Sequence, residues 1–196
     1  MKILDKRGFT LIELLVTLSL ISIILPTLYG VLISGIQTYQ KIQTEQQLRD
    51  DADYTSSRIL NEVYAITFDK VQYCDNKTDS SCIELLKTQK TSYINKDFSN
   101  ENKIVSVEKE NIAAITLSKI EIRTIEKNGK DVSVFFINES PIDVTSNFKN
   151  STITFNEEES FGMVYFNFVV NDLSQNHQIE LTSNFSYSKG SDMNDN

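Results

Sequence analysis

Apolar side chains run almost unbroken from Phe9 to Leu25, where Glu13 is the only ionisable group, and continue with small polar interruptions through Tyr29, Val31, Ile33 and Ile36. Roughly 20 helical residues cross the hydrocarbon core of a bilayer, so the pattern predicts a membrane-spanning helix over residues 9–36. Past residue 36 the all-round hydrophobicity gives way to a single stripe. Ala52, Ile59, Val63 and Ile66, with Leu60 beside them, recur at helical spacing and suit an amphipathic segment over 37–66 lying on a sheet. The two stretches predict one helix from about Phe9 to about Ile66, roughly 85 Å long at 1.5 Å per residue. Pro26 removes one helical hydrogen bond inside the span and predicts a kink there.

From residue 67 to 187 the period shortens to two. Ile115 and Leu117 alternate with polar residues, as do Ile120 and Ile122, but the phase changes between the pairs, which predicts a bulge. Asn128-Gly129 is the strongest short hairpin signal in the chain, and Val132, Val134 and Phe136 follow it as the apolar face of the returning strand. Val164, Phe166, Phe168 and Val170 predict another strand. Ile179, Leu181, Phe185 and Tyr187 predict its partner, with residues 171–178 turning between them. Residues 188–196 carry no apolar pattern and predict a flexible tail.

Charge orients this layout. Lys2, Lys6 and Arg7 precede the apolar run with only Asp5 opposing them, which places the N-terminus in the cytoplasm and residues beyond about 36 outside it. A secretory signal peptide shares the cationic start, but no A-x-A-like site follows the run. The 196-residue chain has a formal net charge of −8, the wrong sign for a dedicated nucleic-acid surface; Lys87, Lys90, Lys96 and Lys103 are the one candidate basic cluster. Outside the cytoplasm, Cys74 and Cys82 bracketing a polar loop predict a disulfide, whose loop closure contributes about 2–3 kcal/mol in the chain-entropy model. Asp75, Asn76 and Asp79 in that loop are a calcium alternative, weakened by the lack of an EF-hand glycine and distal glutamate; a polar turn is the plainer reading. The single His177, in an expected turn, and the acidic run at Glu157–Glu159 offer no arrangement for catalysis. No enzyme activity, cofactor or metal is expected.

A plain membrane anchor accounts for the length and the cations but not for Glu13. An ionised carboxylate there is costly unless neutralised, and no Lys, Arg or His follows within two helical turns. The stretch RGFTLIELLVTLSLI resembles the class III signal sequence of type IV pilins and type II secretion pseudopilins: a short basic leader ending in glycine, then Phe, then an apolar helix with Glu at the fifth position after the glycine. The resemblance implies removal of residues 1–8 by a prepilin peptidase cutting between Gly8 and Phe9, and N-methylation of Phe9. It further implies that Glu13 pairs with the new amine of a neighbouring subunit and so sets axial register as the chain joins a filament. The implied fold is α+β: a long N-terminal transmembrane and amphipathic helix packed on an antiparallel β-sheet head.

Losing residues 1–8 removes three of 19 basic and one of 27 acidic side chains, leaving a formal side-chain charge of −10. QLRDDADYTSSRILNEVY is similar to the corresponding helix of the J-type pseudopilin and its minor-pilin counterparts. The expected function is therefore a minor pilin or pseudopilin that initiates or caps a type IV pilus or related filament. Its expected partners are other pilin subunits, the prepilin peptidase, a membrane assembly platform and, before assembly, the lipid bilayer. The alternatives are an adhesive or DNA-capturing tip subunit and a major pilin.

Overall fold

The structure, a computed structural model, describes residues 10–74, 80–96, 104–158, 160–173 and 177–189, with side chains described outside 93–108. By contacts the chain divides into two units, residues 1–44 and 45–196. Helix α1, Leu11–Ala65, begins in the first and ends in the second.

In the first unit every described residue up to Gln43 is exposed, including Leu11, Leu14, Ile23 and Leu32. The helix hydrogen-bond pattern continues through Pro26. Hydroxyls in this apolar stretch turn back on their own helix: Thr17 donates to Leu14 O, Ser19 to Val16 O, Ser22 to Ser19 O and Thr27 to Ile24 O, at 2.7–2.9 Å. Their polarity is thus satisfied within the helix, as a lipid environment requires.

The second unit is built on two antiparallel sheets. In the first, β1 (Lys70–Tyr73), β2 (Cys82–Lys96), β3 (Ile104–Lys127), β4 (Lys130–Ile137) and β5 (Ser140–Pro141) lie side by side in chain order. In the second, β6 (Thr152–Glu157), β7 (Phe161–Asn171) and β8 (Gln178–Ser188) do the same. The final turns of α1 bury Leu48, Ala52, Thr55, Ile59 and Val63, spaced four, three, four and four, in a core shared with both sheets.

The expected bulge falls on β3. Leu85 pairs with Ser118 and Leu86 with Thr116, so Leu117 is the extra residue that shifts the phase. Asn128 (φ 54°) and Gly129 (φ 71°) close the β3–β4 hairpin as a two-residue turn with both residues left-handed, the geometry whose twist matches the flanking strands. The β4 strand departs from a one-sided reading: Val132 to Phe136 are all buried. Phe135, on the face opposite Val132 and Val134, packs against Phe148, Phe166 and Phe168 with ring centroids 5.2–6.4 Å apart. These aromatic contacts join the first sheet to the second.

Residues 142–151 lie outside the strands yet bury Ile142, Val144, Ser146, Asn147, Phe148 and Ser151, with Asp143, Thr145, Lys149 and Asn150 exposed between them. Their polar groups are satisfied by specific partners. Asp51 Oδ2 on α1 accepts from Thr145 N (3.1 Å), Thr145 Oγ1 (2.9 Å), Ser146 N (2.9 Å) and Ser146 Oγ (2.6 Å). Asn147 Oδ1 accepts from Ser133 N and Lys149 N. At the chain's end, β8 continues through Ser188, and Lys189 N donates to Ser160 O, so the region without an apolar pattern is partly strand; residues 190–196 lie outside the described ones.

Candidate assembly site

Gly8 and Phe9, the expected cleavage pair, lie outside the described residues. The description starts with Thr10, whose relation to Glu13 decides how the helix begins. Glu13 Oε2 accepts from Thr10 N at 2.9 Å and from Thr10 Oγ1 at 2.9 Å, while Glu13 N donates back to Thr10 Oγ1 at 3.4 Å. This reciprocal pair is a capping box, Thr at the N-cap and Glu three residues later, satisfying donors that the first turn leaves without intrahelical partners. Thr10-Leu11-Ile12-Glu13 spells that box in the sequence, so the signal was present. The helix N-terminal dipole and these donors stabilise the carboxylate within its own chain.

The exposed apolar residues on either side of Glu13 form the other part of the site. Leu11 is 80% exposed, Ile23 66% and Val31 74%, so among the described residues of this unit nothing covers the apolar surface. Lipid alone leaves Glu13 at an energetic disadvantage, whereas a cationic partner at the same depth removes it.

In the head, Cys74 and Cys82 are joined as a disulfide with Cα atoms 5.5 Å apart, tying the end of β1 to the start of β2. Asp75, Asn76 and Asp79, the calcium alternative, fall outside the described residues. Next to the bridge, Glu121, the cross-strand partner of Cys82, is held by Lys119 Nζ at 3.3 Å and by Arg123, whose guanidinium lies 4.9 Å from the Phe136 ring centre. His177 N donates to Asp172 Oδ1 at the β7–β8 turn. Glu157 ends β6 and accepts from the Tyr187 hydroxyl at 3.0 Å; burial, with the Glu157 charge adding to it, pushes that hydroxyl well above its ordinary pKa. Of the four lysines in the candidate basic cluster, Lys87 is half-buried and Lys90 exposed, while the side chains of Lys96 and Lys103 are not described.

Residues 4–25 match a family model described as a prokaryotic N-terminal methylation motif. That match covers residues 4–8 of the expected leader, the capping box and the apolar run to Leu25, and leaves the head to be read from its structure. No curated protein and no solved structure gives a match.

Proposed function

We propose that this chain is a type IV pilin-like subunit of a pilus or secretion filament, a reading supported by the N-terminal methylation motif at residues 4–25 and the α+β fold, and more closely a minor pilin or pseudopilin that helps to initiate or cap that filament. Pilins are structural subunits rather than enzymes, processed by a prepilin peptidase and assembled with other pilins. The class III signal and apolar helix fit an inner-membrane prepilin destined for a surface filament. On our reading the cut falls between Gly8 and Phe9, Phe9 is N-methylated, and residues 9–36 hold the chain in the membrane until it is recruited.

The observation that supports this best is the position of Glu13. It is the only ionisable side chain from Phe9 to Leu25, it stands on an exposed apolar helix, and its present partners are donors of its own first turn. In our reading the methylated amine of a neighbouring chain supplies the missing cation, so recruitment is favourable only in the correct axial stagger. The similarity of residues 47–64 to the J-type pseudopilin favours the initiating role.

Quantitative mass spectrometry of sheared filaments and cell envelopes, with and without this gene, tests the proposal. Scarce peptides in the filaments, starting at N-methylated Phe9, together with loss of filaments on deletion, are expected. Peptides that dominate the sheared fraction would make it a major pilin, and a membrane form that keeps Met1 despite active peptidase would remove the cleavage reading.

A further inference from the structure

A cavity of about 360 Å³ opens between the last turns of α1 and the β4–β5 hairpin, wholly within the second unit. That volume suits a small molecule. Arg58, Asn61 and Glu62 line it from the helix, while Ile137, Pro141 and Ile142 give it an apolar side.

The hairpin wall is held from two directions. The pairing of β3 with β4 reaches Ile120 and Ile137, and Asn138 extends it: its N–H donates to Lys119 O and its Oδ1 accepts from Lys119 N, both at 2.9 Å. Asn138 Nδ2 donates across to Glu62 Oε1, also at 2.9 Å, which ties the turn to α1. Asn138 and Glu139 have φ 50° and 70°, left-handed values that a glutamate rarely adopts, so the surroundings hold the turn in this shape.

Arg58 and Glu62 stand four residues apart on α1, the spacing of an intrahelical ion pair, and both face the cavity. Here they form no such pair. Among the described residues Glu62 turns Oε1 to Asn138, and no hydrogen bond or ion pair engages the Arg58 guanidinium. The cavity thus offers two opposite charges about one helical turn apart, beside an apolar wall. An anion alone meets Glu62 and a cation alone meets Arg58, so neither is matched by itself. We propose that this pocket binds a zwitterion, an α-amino acid with an aliphatic side chain. Its carboxylate pairs with the planar guanidinium of Arg58, its ammonium with the second oxygen of Glu62, and its side chain packs against Ile137, Pro141 and Ile142.

The test follows amide NMR shifts of the full-length chain in detergent micelles during titration with leucine, with isocaproate, which lacks the ammonium, and with isoamylamine, which lacks the carboxylate. Sodium chloride at equal ionic strength is the reference. Saturable shifts at Arg58, Asn61, Glu62 and Asn138 are expected with leucine, and roughly tenfold weaker binding with either single-charge analogue, the size of one lost charge-assisted contact. Arg58→Gln, at an exposed position, should weaken leucine binding by the same factor. Glu62→Gln keeps an oxygen for Asn138 and should lower the affinity for leucine to that for isocaproate. Arg49→Gln, exposed on the same helix and outside the lining, leaves binding unchanged. Either analogue binding as tightly as leucine, shifts reproduced by chloride, or equal leucine affinity in wild type and both pocket variants would overturn the proposal.

Discussion

The two units of this chain handle apolar side chains in opposite ways. In residues 10–43 every described residue is exposed, while beyond residue 45 the large aromatics Phe135, Phe148, Phe166 and Phe168 are almost completely buried. The head finishes its own structure: its apolar faces meet one another, and buried Ser146 and Asn147 are hydrogen-bonded to Asp51 and Ser133. The N-terminal helix finishes only its backbone, through the Thr10–Glu13 cap and its inward-turned hydroxyls. Its outer apolar surface is left exposed, and on the proposed function lipid covers it first and neighbouring helices after assembly. If the proposed function holds, stability belongs to the head and assembly to the helix, so substitutions should separate the two.

The largest effect on the head comes from its centre. Phe135→Ala removes the ring that joins β4 to Phe148, Phe166 and Phe168 and should cost about 3–5 kcal/mol, read by chemical denaturation, with membrane insertion unchanged. A smaller loss follows Asp51→Asn, which removes the charge that holds residues 145–146 to α1. Hydrogen bonds to charged groups contribute about 1.5–3 kcal/mol, so a loss in that range is expected, again without effect on insertion. If either variant left the protein out of the membrane, the units would not be separable.

Tyr187 gives a pH-dependent contrast. Its pKa is raised in the folded head, so its neutral form favours folding; that stability is fully present below the ordinary tyrosine pKa of about 10 and is lost as the pH rises through the folded value. Denaturation midpoints from pH 9 upward should fall more steeply for wild type than for Tyr187→Phe, which also loses about 1 kcal/mol at neutral pH with its hydrogen bond to Glu157. Parallel slopes for the two proteins would contradict this assignment. The smallest effect is expected from Thr10→Val. It removes the cap hydroxyl for about 1 kcal/mol of local helix stability, visible as faster amide exchange in the first turn while the head's denaturation midpoint stays fixed.

Much of this contrast was legible from spacing. Ala52, Ile59 and Val63 gave the buried stripe of α1, Asn128-Gly129 gave the hairpin, and the phase change after Leu117 gave the bulge. What escaped lacks a local period. Phe135 hides on the second buried face of β4, because a strand covered on both sides does not alternate. Ser146 and Asn147 are buried by hydrogen bonds with Asp51 and Ser133, partners remote in sequence. At the candidate site the Thr10–Glu13 box is legible as Thr-x-x-Glu just before the apolar run, and the carboxylate serves as a cap within its own chain.

Glu13→Gln tests the central claim most directly, because the amide keeps an oxygen that can accept from Thr10 but loses the charge. The measurement is the fraction of this chain recovered in sheared filaments, by quantitative mass spectrometry, when wild type and Glu13→Gln are expressed at equal levels in the same cells. The account predicts that both chains reach the membrane and only the wild type enters filaments. Equal incorporation would contradict it, leaving Glu13 as a helix cap and nothing more.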